Sequence, residues 1–534
     1  MIHLRKIIQR IRPLKNDGDG FVLPAAIGII IVIAILASAT FIVVESNLYS
    51  VNNNVKRQQA FNISEAGINY YLWHLSHSPS DFKDGSTVAM TPDPTLGYGP
   101  FVHNYIDDNG VNQGTYTLYI NPQSNGSSVV KVRSIGRVGN SDILRTIDAF
   151  IGAPSFASYG VVSDSAVWFG NTETASGPVH SNQGVRMDGP STTDVTSANS
   201  TYVPSSALGG NGSTSRPGVW CDSSVISPVN CNTRVKTDWR YPVPAVDFNA
   251  ISGNLCTIKK TAFSADPATS ALAMSSNACS QVPSTRTASY LPRRSSTFSI
   301  SKGYLIQLNT NGTYDLSTVN GETDTSTPYT SALSRTVVGS GIAIPASGVI
   351  FAEDNVWVRT NPTFHGRVTI AAGRLATSDN ANIVVADDIV YSTKNGQDAI
   401  GLVAEGSVLI APYAPPNTGS FTFEVDAAMI AQAGTVEYPS TYRVNSNRCT
   451  RGWVNANQHF NFYGSVATRQ PWTWTWLLGG SCGDAVRDPV NGYISGIENN
   501  TTEYDNNLLY APPPSFPITS SYTILSWREV LTKP

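Results

Sequence analysis

The chain has 534 residues, a length that suggests three to four folding units of about 150 residues each. Charged side chains make up only 14% of the residues and the formal net charge is −3, so neither long soluble helices nor a basic surface for nucleic acids is expected. The 43 glycines favour many short β-strands joined by turns.

The first predicted element is a helix whose first part, residues 21–44, is apolar and has no charged side chain. At about 1.5 Å per residue, this stretch can cross the ~30 Å hydrocarbon core of a membrane. Basic side chains outnumber acidic ones in residues 1–20, which predicts a single-pass protein of the cytoplasmic membrane with its N-terminus inside. A cleaved secretory signal is disfavoured because its apolar region is only ~7–15 residues long. A plain membrane anchor stays open as an interpretation.

A glycine directly precedes the apolar run after a short basic leader, and residues 56–68 read KRQQAFNISEAGI. The first motif resembles the class III signal of type IV pilins, and the second resembles a stretch of PilX-like minor pilins. The resemblance implies that a prepilin peptidase cuts between Gly20 and Phe21 and methylates the new N-terminus at Phe21. It also implies that the partners are other pilins and minor pilins, and that the subunit passes from the inner membrane to a surface filament.

The helix is predicted to span residues 21–76, because apolar residues beyond the membrane recur at helical spacing on one face, including Leu48, Val51 and Val55. The resemblance makes it the filament-assembly helix, with Phe21, Pro24, Ala25, Glu45 and Glu65 as its site residues. Ala25 occupies the fifth mature position, where most major pilins carry a glutamate that neutralises a neighbouring subunit's amine. Family members without this acid are minor subunits of the filament tip, and the resemblance therefore implies a place at the tip.

Residues 77–153 are predicted to form a small antiparallel sheet that packs on the end of the helix. Candidate strands at 114–120, 129–138 and 143–151 are separated by turns rich in asparagine and glycine, which suit hairpins. The last two runs resemble the closing strands of a pilin head.

Short β-runs between glycines and polar turns dominate residues 154–190 and 299–470. Runs in the second segment recur at roughly 15–20 residues, at 348–358, 366–372, 381–391, 400–410, 421–430 and 460–466. A unit of this size can bury its apolar face only by stacking on another unit. The predicted fold class is therefore α+β, with a long pilin helix and a small antiparallel sheet followed by a mostly β, right-handed β-helix-like solenoid. An antiparallel sandwich is the open alternative.

All six cysteines lie on the predicted outer side of the membrane, where an oxidising compartment favours disulfides. Proximity in sequence suggests three pairs among fifteen possible pairings: Cys221–Cys231, Cys256–Cys279 and Cys449–Cys482. Residues 191–298 hold four of these cysteines and are predicted to be a disulfide-stapled insertion, looped out of the solenoid. No pair has zinc-ligand spacing, so neither a metal nor another cofactor is expected.

Residues 471–534 are predicted to be an aromatic and proline-rich cap. Three tryptophans alternate in sequence and would share one face of a strand: Trp472, Trp474 and Trp476. They either pack over the last coil or form an exposed platform for an unknown surface ligand. Residues 504–529 and 348–358 resemble a bacterial surface domain family that accompanies PilX-like N-termini.

Two functions compete for this architecture. The first is a minor pilin-like subunit that primes assembly at the filament tip and displays the solenoid for adhesion, without catalysis. The alternative is a membrane-anchored enzyme acting on cell-surface polysaccharide, since β-helices often carry such activities and acids lie on consecutive runs at Asp387, Asp388, Glu405 and Asp426. Cleavage would need two carboxyl groups about 5–9 Å apart, a spacing that adjacent coils could supply.

Overall fold

The computed structural model describes residues 22–78, 81–122, 129–152, 154–170, 173–222, 238–322, 332–411, 414, 421–439, 452–453, 458–478, 487–488, 492–497, 499–519 and 522–530. Several predicted site residues lie outside this described part: Gly20, Phe21, Cys231, Cys449 and Cys482.

The first element is the helix α1, Val22–His77, which is 56 residues long. This confirms the predicted long helix, and at 1.5 Å per residue it measures about 84 Å. None of residues 22–59 is buried, and the first buried side chain is that of Ala60. We call residues 22–59 the stem. The rest of the helix buries one face, formed by Ala60, Ile63, Ser64, Gly67, Ile68, Tyr71 and Leu75.

The buried face of α1 packs on an antiparallel sheet, and together they form what we call the head. The sheet has the order β1-β2-β3-β4-β32, with strands Tyr98–Ile106, Asn112–Pro122, Val129–Val138, Leu144–Gly152 and Thr523–Val530. The three predicted strands match β2, β3 and β4, whereas β1 and β32 were not predicted. Helix and sheet approach closely because glycines lie at their contact, and a Cβ on Gly67 would lie 2.9 Å from the ring of Tyr116.

The rest of the chain enters and leaves the head at one place. Ser155 forms an antiparallel bridge with Ile518. The Phe156 amide donates to the Pro517 carbonyl (3.0 Å), and the Thr519 amide donates to the Pro154 carbonyl (2.7 Å). We call these paired segments, residues 154–156 and 517–519, the neck. Residues 157–516, the distal part, are thus inserted between β4 and β32.

The first half of the distal part consists of short strands and two helices: β5 Val161–Ser163, β6 Val167–Phe169, β7 Val179–Ser181, β8 Val185–Met187, β9 Val195–Ser197, β10 Thr201–Tyr202, β11 Arg216–Pro217, β12 Val219–Trp220, β13 Trp239–Arg240, α2 Ala250–Ser264 and α3 Ser270–Ala273. The second half begins with β14 Tyr290–Leu291, β15 Gly303–Asn309, β16 Thr313–Glu322, β17 Leu333–Ala343, β18 Val349–Ala352, β19 Asn355–Asn361, β20 Arg367–Ala372, β21 Ile383–Val385, β22 Ala399–Ala404 and β23 Val408–Ile410. It ends with β24 Phe421–Ala431, β25 Val436–Glu437, β26 Gly452–Trp453, β27 Gln458–Thr468, β28 Thr475–Leu478, β29 Arg487–Asp488, β30 Gly492–Ile497 and β31 Asn500–Tyr504. Single 3₁₀ turns lie at Phe156–Ser158, Ser206–Leu208 and Asn506–Leu509.

The largest sheet, which we call the major sheet, has the order β13-β9-β7-β5-β27-β24-β22-β20-β18-β14, with β31 also paired to β27. All of its neighbouring strands are parallel. Strands β5 and β27 are neighbours, although β5 is the first strand of the distal part and β27 lies near its end. The strands of the first half therefore extend the sheet from this junction to one edge at β13. Those of the second half begin at the opposite edge, at β14, and follow one another back to the junction.

A second set of parallel strands faces the major sheet. Strands β15, β19, β21, β23 and β25 pair in parallel in that order, and β6, β8 and β12 form a smaller parallel group. Residues 348–358, predicted as one run, are two strands in different sheets, because the buried residues Glu353 and Asp354 form a corner between β18 and β19. The space between the sheets is filled by Val, Ile, Leu and aromatic side chains.

The described part of residues 191–298 differs from the predicted looped-out insertion. Strands β9 and β13 extend the major sheet, and α2 lies over the outer face of that sheet. Apolar residues at helical spacing explain this position, since Ile251, Leu255, Ile258 and Ala262 are all fully buried. The apolar face of α2 therefore packs on the major sheet, just as the apolar face of α1 packs on the sheet of the head.

Candidate functional site

The stem is the largest exposed apolar surface of the described chain. An 18-residue window of this helix has a mean hydropathy of 3.0, and the helix is long and apolar enough to cross a membrane. Pro24, Ala25 and Glu45 are exposed along it, and Glu65 is exposed on the part of the helix that carries the head. A helix of this composition in water would be unstable alone, so the stem requires an apolar surrounding.

The apolar surface of the stem continues beyond the length that a membrane can cover. Residues 22–44 already span about 35 Å, against a hydrocarbon core of ~30 Å. Farther along, Leu48, Val51 and Val55 are 64%, 58% and 49% exposed and are spaced three, four and seven residues apart. These three side chains form one stripe on the helix. The stripe lies outside the bilayer when residues 22–44 are inside it.

The acids considered for catalysis hold neighbouring backbone segments together. Asp388 Oδ1 accepts a hydrogen bond from the Glu424 amide (2.8 Å), and Asp426 Oδ2 accepts one from the Tyr391 amide (2.9 Å). Lys394 Nζ lies 2.9 Å from the other oxygen of Asp426. Burial raises the pKa of Asp388 to about 6 and also raises the pKa of Asp426. Asp426 is only 1% exposed, so its carboxylate offers no open position for a substrate.

The two remaining acids have comparable partners. Glu405 accepts a hydrogen bond from the Arg374 amide (2.6 Å) and is 9% exposed, and burial raises its pKa. Asp387 lies 3.3 Å from the Arg359 guanidinium. Each of the four acids thus serves a neighbouring segment of backbone or an arginine.

Trp472 and Trp474, two of the three tryptophans predicted as a platform, point inward. Trp474 is 2% exposed and packs edge-on against Phe460, with ring centroids 5.1 Å apart. Trp472 is half-buried between Trp474 (5.7 Å) and Phe169 (5.5 Å). The prediction of an exposed platform is therefore wrong for Trp474, whose hydrophobic ring fills the space between the sheets. The side chain of Trp476 lies outside the described residues.

A cavity of about 210 Å³ opens beside Trp472. Phe169 and Trp472 supply aromatic walls, and polar residues supply the rest: Glu173, Thr174, Asn500, Thr501 and Thr502. The cavity lies where strand β6, from the first half of the distal part, meets β31, from its end. Sequence reasoning missed it, because its walls come from segments more than 300 residues apart and only Trp472 had been singled out.

One predicted disulfide is confirmed. Cys256 in α2 is bonded to Cys279, with Cα atoms 5.3 Å apart. Cys221 is also disulfide-bonded, but its partner lies outside the described residues. No group of three or more potential metal ligands occurs within the described ranges.

A scan of protein-family models finds no match to this chain, and no curated protein matches it. Among solved structures, the competence-associated pilin ComZ from Thermus thermophilus is similar at 11% sequence identity and a TM-score of 0.26, over 90% of this chain and 98% of ComZ.

Proposed function

We propose that this chain is a minor pilin-like subunit of a type IV pilus or a related filament. The observation that carries the proposal is the stem, a bare helix whose apolar stripe continues past the membrane. A plain anchor needs no apolar side chains beyond residue 44. Helices of neighbouring pilins would bury Leu48, Val51 and Val55, which is the role such a stripe has in a bundle of helices.

The proposal includes the processing that the N-terminal motif implies. A prepilin peptidase cuts between Gly20 and Phe21 on the cytoplasmic face and methylates Phe21. Before assembly the subunit is anchored in the inner membrane with its head outside, and it then reaches the cell surface as part of the filament. Ala25 supports a place at the tip, because a subunit with no other subunit ahead of it needs no acid at the fifth position.

We further propose that the distal part is a right-handed β-solenoid displayed for adhesion. Two features support a solenoid: the strands of the major sheet pair in parallel, and the chain alternates between the major sheet and the facing strands from β18 to β25. Parallel crossover connections are nearly always right-handed. The proposed function is non-covalent binding rather than catalysis, since the four candidate acids are engaged by backbone amides or basic side chains.

Mass spectrometry of the native N-terminus, from membranes and from sheared surface filaments, tests the processing and the location. We expect a chain that begins at N-methylated Phe21 in the sheared fraction. An intact Met1 terminus confined to membranes would refute the pilin proposal and leave an anchored surface protein.

A pair of stem variants tests the stripe itself. Val51→Glu puts a charge on the stripe, and we expect it to abolish incorporation into filaments while membrane insertion and the head remain intact. Ser50→Glu is the matched control, because Ser50 is equally exposed and lies about 100° away around the helix. Equal incorporation of the two variants would contradict a helix–helix contact at the stripe.

A further inference from the structure

The stem and the distal part leave the head at opposite ends. A side chain at Gly136 of β3 would meet Ala60 of α1. One at Gly67, farther along α1, would meet Ser134, which precedes Gly136 on β3. Strand β3 therefore runs opposite to α1, and β4, which pairs antiparallel with β3, runs with α1. The C-terminal end of β4, which leads into the neck, thus lies toward the C-terminal end of α1, away from the stem.

Both chain crossings of the neck start from this same end of the head sheet. In the register of β4 and β32, Gly152 lies opposite Thr523, so the last residue of one strand is beside the first residue of the other. Residue 153 joins β4 to the neck, and residues 520–522 join the neck to β32. A pull on the distal part therefore reaches the head through two covalent connections, one to each of two neighbouring strands.

Both crossings are also anchored in the distal part. Phe156 is fully buried and Phe516 is 4% exposed, and the two phenyl rings belong to the apolar cluster on the outer face of the major sheet. The Ile518 carbonyl accepts a hydrogen bond from the Asn254 side chain of α2 (3.2 Å). Together with the hydrogen bonds of the neck, these contacts make the two crossings share a pull on the distal part.

Within the head, a pull along this axis acts on the sheet in shear. The hydrogen bonds of an antiparallel sheet lie perpendicular to its strands. Strand β4 pairs with β3 at nine positions, and β32 pairs with β4 at seven. To draw β4 and β32 away from the rest of the head, the nine pairs between β3 and β4 must fail together. A pull on one end of an edge strand would instead separate its pairs one after another.

We propose that the head is a tension-resistant joint, which transmits force between the filament and the distal part along the axis of α1. The stem and the buried face of the head belong to one continuous helix, Val22–His77, so a pull on the stem enters the head without an intervening loop. The return of β32 gives the joint its second connection. This inference rests on the proposed function, since it is the filament that holds the stem while a bound surface pulls on the distal part.

A plain insertion between neighbouring strands explains why the two ends of the distal part are close, but not why they leave opposite the stem. The turns at residues 107–111 and 139–143 lie at the stem end of the sheet and also join neighbouring strands. An insertion at either turn would be pulled from the same end of the head as the stem. Helix and sheet would then be peeled apart, whereas the observed position loads them lengthwise.

Single-molecule pulling of the full chain in detergent compares two directions of force. One DNA handle is attached through an azide-bearing residue at Ser378, an exposed position of the distal part. The other is attached in the same way at Asn54, which is exposed on the stem, or at Thr91, which is exposed just before β1. The first pair pulls along the head. The second pair peels β1 from β2, starting at the end of the sheet where the neck lies.

We expect the head to stay folded at least about tenfold longer under the lengthwise pull than under the peeling pull at equal force. Two hydrogen bonds of about 1 kcal/mol each that fail together, rather than in turn, already account for that ratio. The length released in each step identifies the part of the chain that opens, because head and distal part release different numbers of residues.

Deleting residues 523–534 separates force transmission from the general stability of the head. Without β32, β4 is held from one side only, and we expect the lifetime under the lengthwise pull to fall by about tenfold. The lifetime under the peeling pull depends on β1 and β2 and should stay within about twofold. The comparison of the two directions on the full chain needs no deletion, so it stands even if the shortened chain does not fold.

Equal lifetimes under the two pulls would overturn the proposal. So would a deletion that shortens both lifetimes equally, because β32 would then only stabilise the head. The measurement needs no filament, so its failure would leave the pilin proposal intact. Conversely, a chain that resists the lengthwise pull but stays unprocessed in membranes would refute only the pilin proposal.

Discussion

The buried ion pair between Lys259 and Glu353 gives a sharp prediction about how α2 is held on the major sheet. Both side chains are 0% exposed, and the Lys259 ammonium contacts Glu353 Oε1 directly. The ammonium also donates to the Cys279 carbonyl (3.0 Å). Arg293 lies 3.6 Å from the other oxygen of Glu353. Burial lowers the pKa of Lys259 and raises the pKa of Glu353, so each charge depends on its partner.

Removing one member of this pair should be costly, because it leaves the other buried charge without its main partner. Lys259→Met keeps most of the apolar side chain and should destabilise the packing of α2 by about 3–5 kcal/mol. Glu353→Gln should cost a similar amount. The double variant should cost much less than the sum, with a coupling energy of about 2–3 kcal/mol, since neither charge remains.

Hydrogen exchange of the α2 amides, followed by mass spectrometry, measures this locally. A loss of 3–5 kcal/mol increases exchange through local opening by about two to four orders of magnitude. Lys260→Met is the control, because the neighbouring Lys260 is half-buried, and its effect should stay below about 0.5 kcal/mol. Additive single-variant costs, or a Lys259→Met cost equal to that of the control, would refute the argument that the pair holds the helix.

Three further predictions concern other contacts. Replacing both Cys256 and Cys279 by alanine should destabilise the α2 region by about 3 kcal/mol, since the bond closes a loop of 23 residues; urea unfolding with and without a reductant checks this, and an unchanged midpoint would contradict it. Burial raises the pKa of Glu437 to about 7, above its unfolded value near 4.3, so its stabilising effect is fully present below pH 4 and is lost as the pH rises to 7. The change is up to about 4 kcal/mol, and Glu437→Gln should flatten the stability profile over that range; a variant with the same profile would exclude this group as the cause. Deleting the chain from residue 523 onward removes β32 and exposes the edge of β4, so light scattering should detect association of the head, whereas a monodisperse truncated chain would show that β4 needs no cover.

The elements predicted correctly from sequence are those whose signal is local. The apolar run and the spacing of Leu48, Val51 and Val55 define α1, and burial alternates along β2 as expected for a strand with one face on a core. The disulfide between Cys256 and Cys279 also joins near neighbours in sequence. In each case a short window contains all the information needed.

The elements that were missed depend on distant residues. Residues 348–358 have continuous strand character, and only the buried acid pair at the corner marks the change of sheet. Helix α2 was hidden by its serine, threonine and lysine content, although its apolar residues keep helical spacing. The cavity could not be predicted, because Phe169 and Trp472 become neighbours only when the two halves of the distal part meet at β5 and β27.

The topology makes completion of the head depend on the distal part. Strand β32 follows residues 157–516 in the chain, yet it pairs with β4, which precedes them. If the distal part were unfolded, joining the two segments would close a loop of 365 residues, for which the length-dependent entropy is about 5 kcal/mol. A folded distal part removes most of that cost, because it already holds Pro154 and Thr519 within hydrogen-bonding distance at the neck. A chain whose distal part has folded therefore covers the edge of β4, whereas a chain whose distal part has not folded carries an open edge beside its apolar helix.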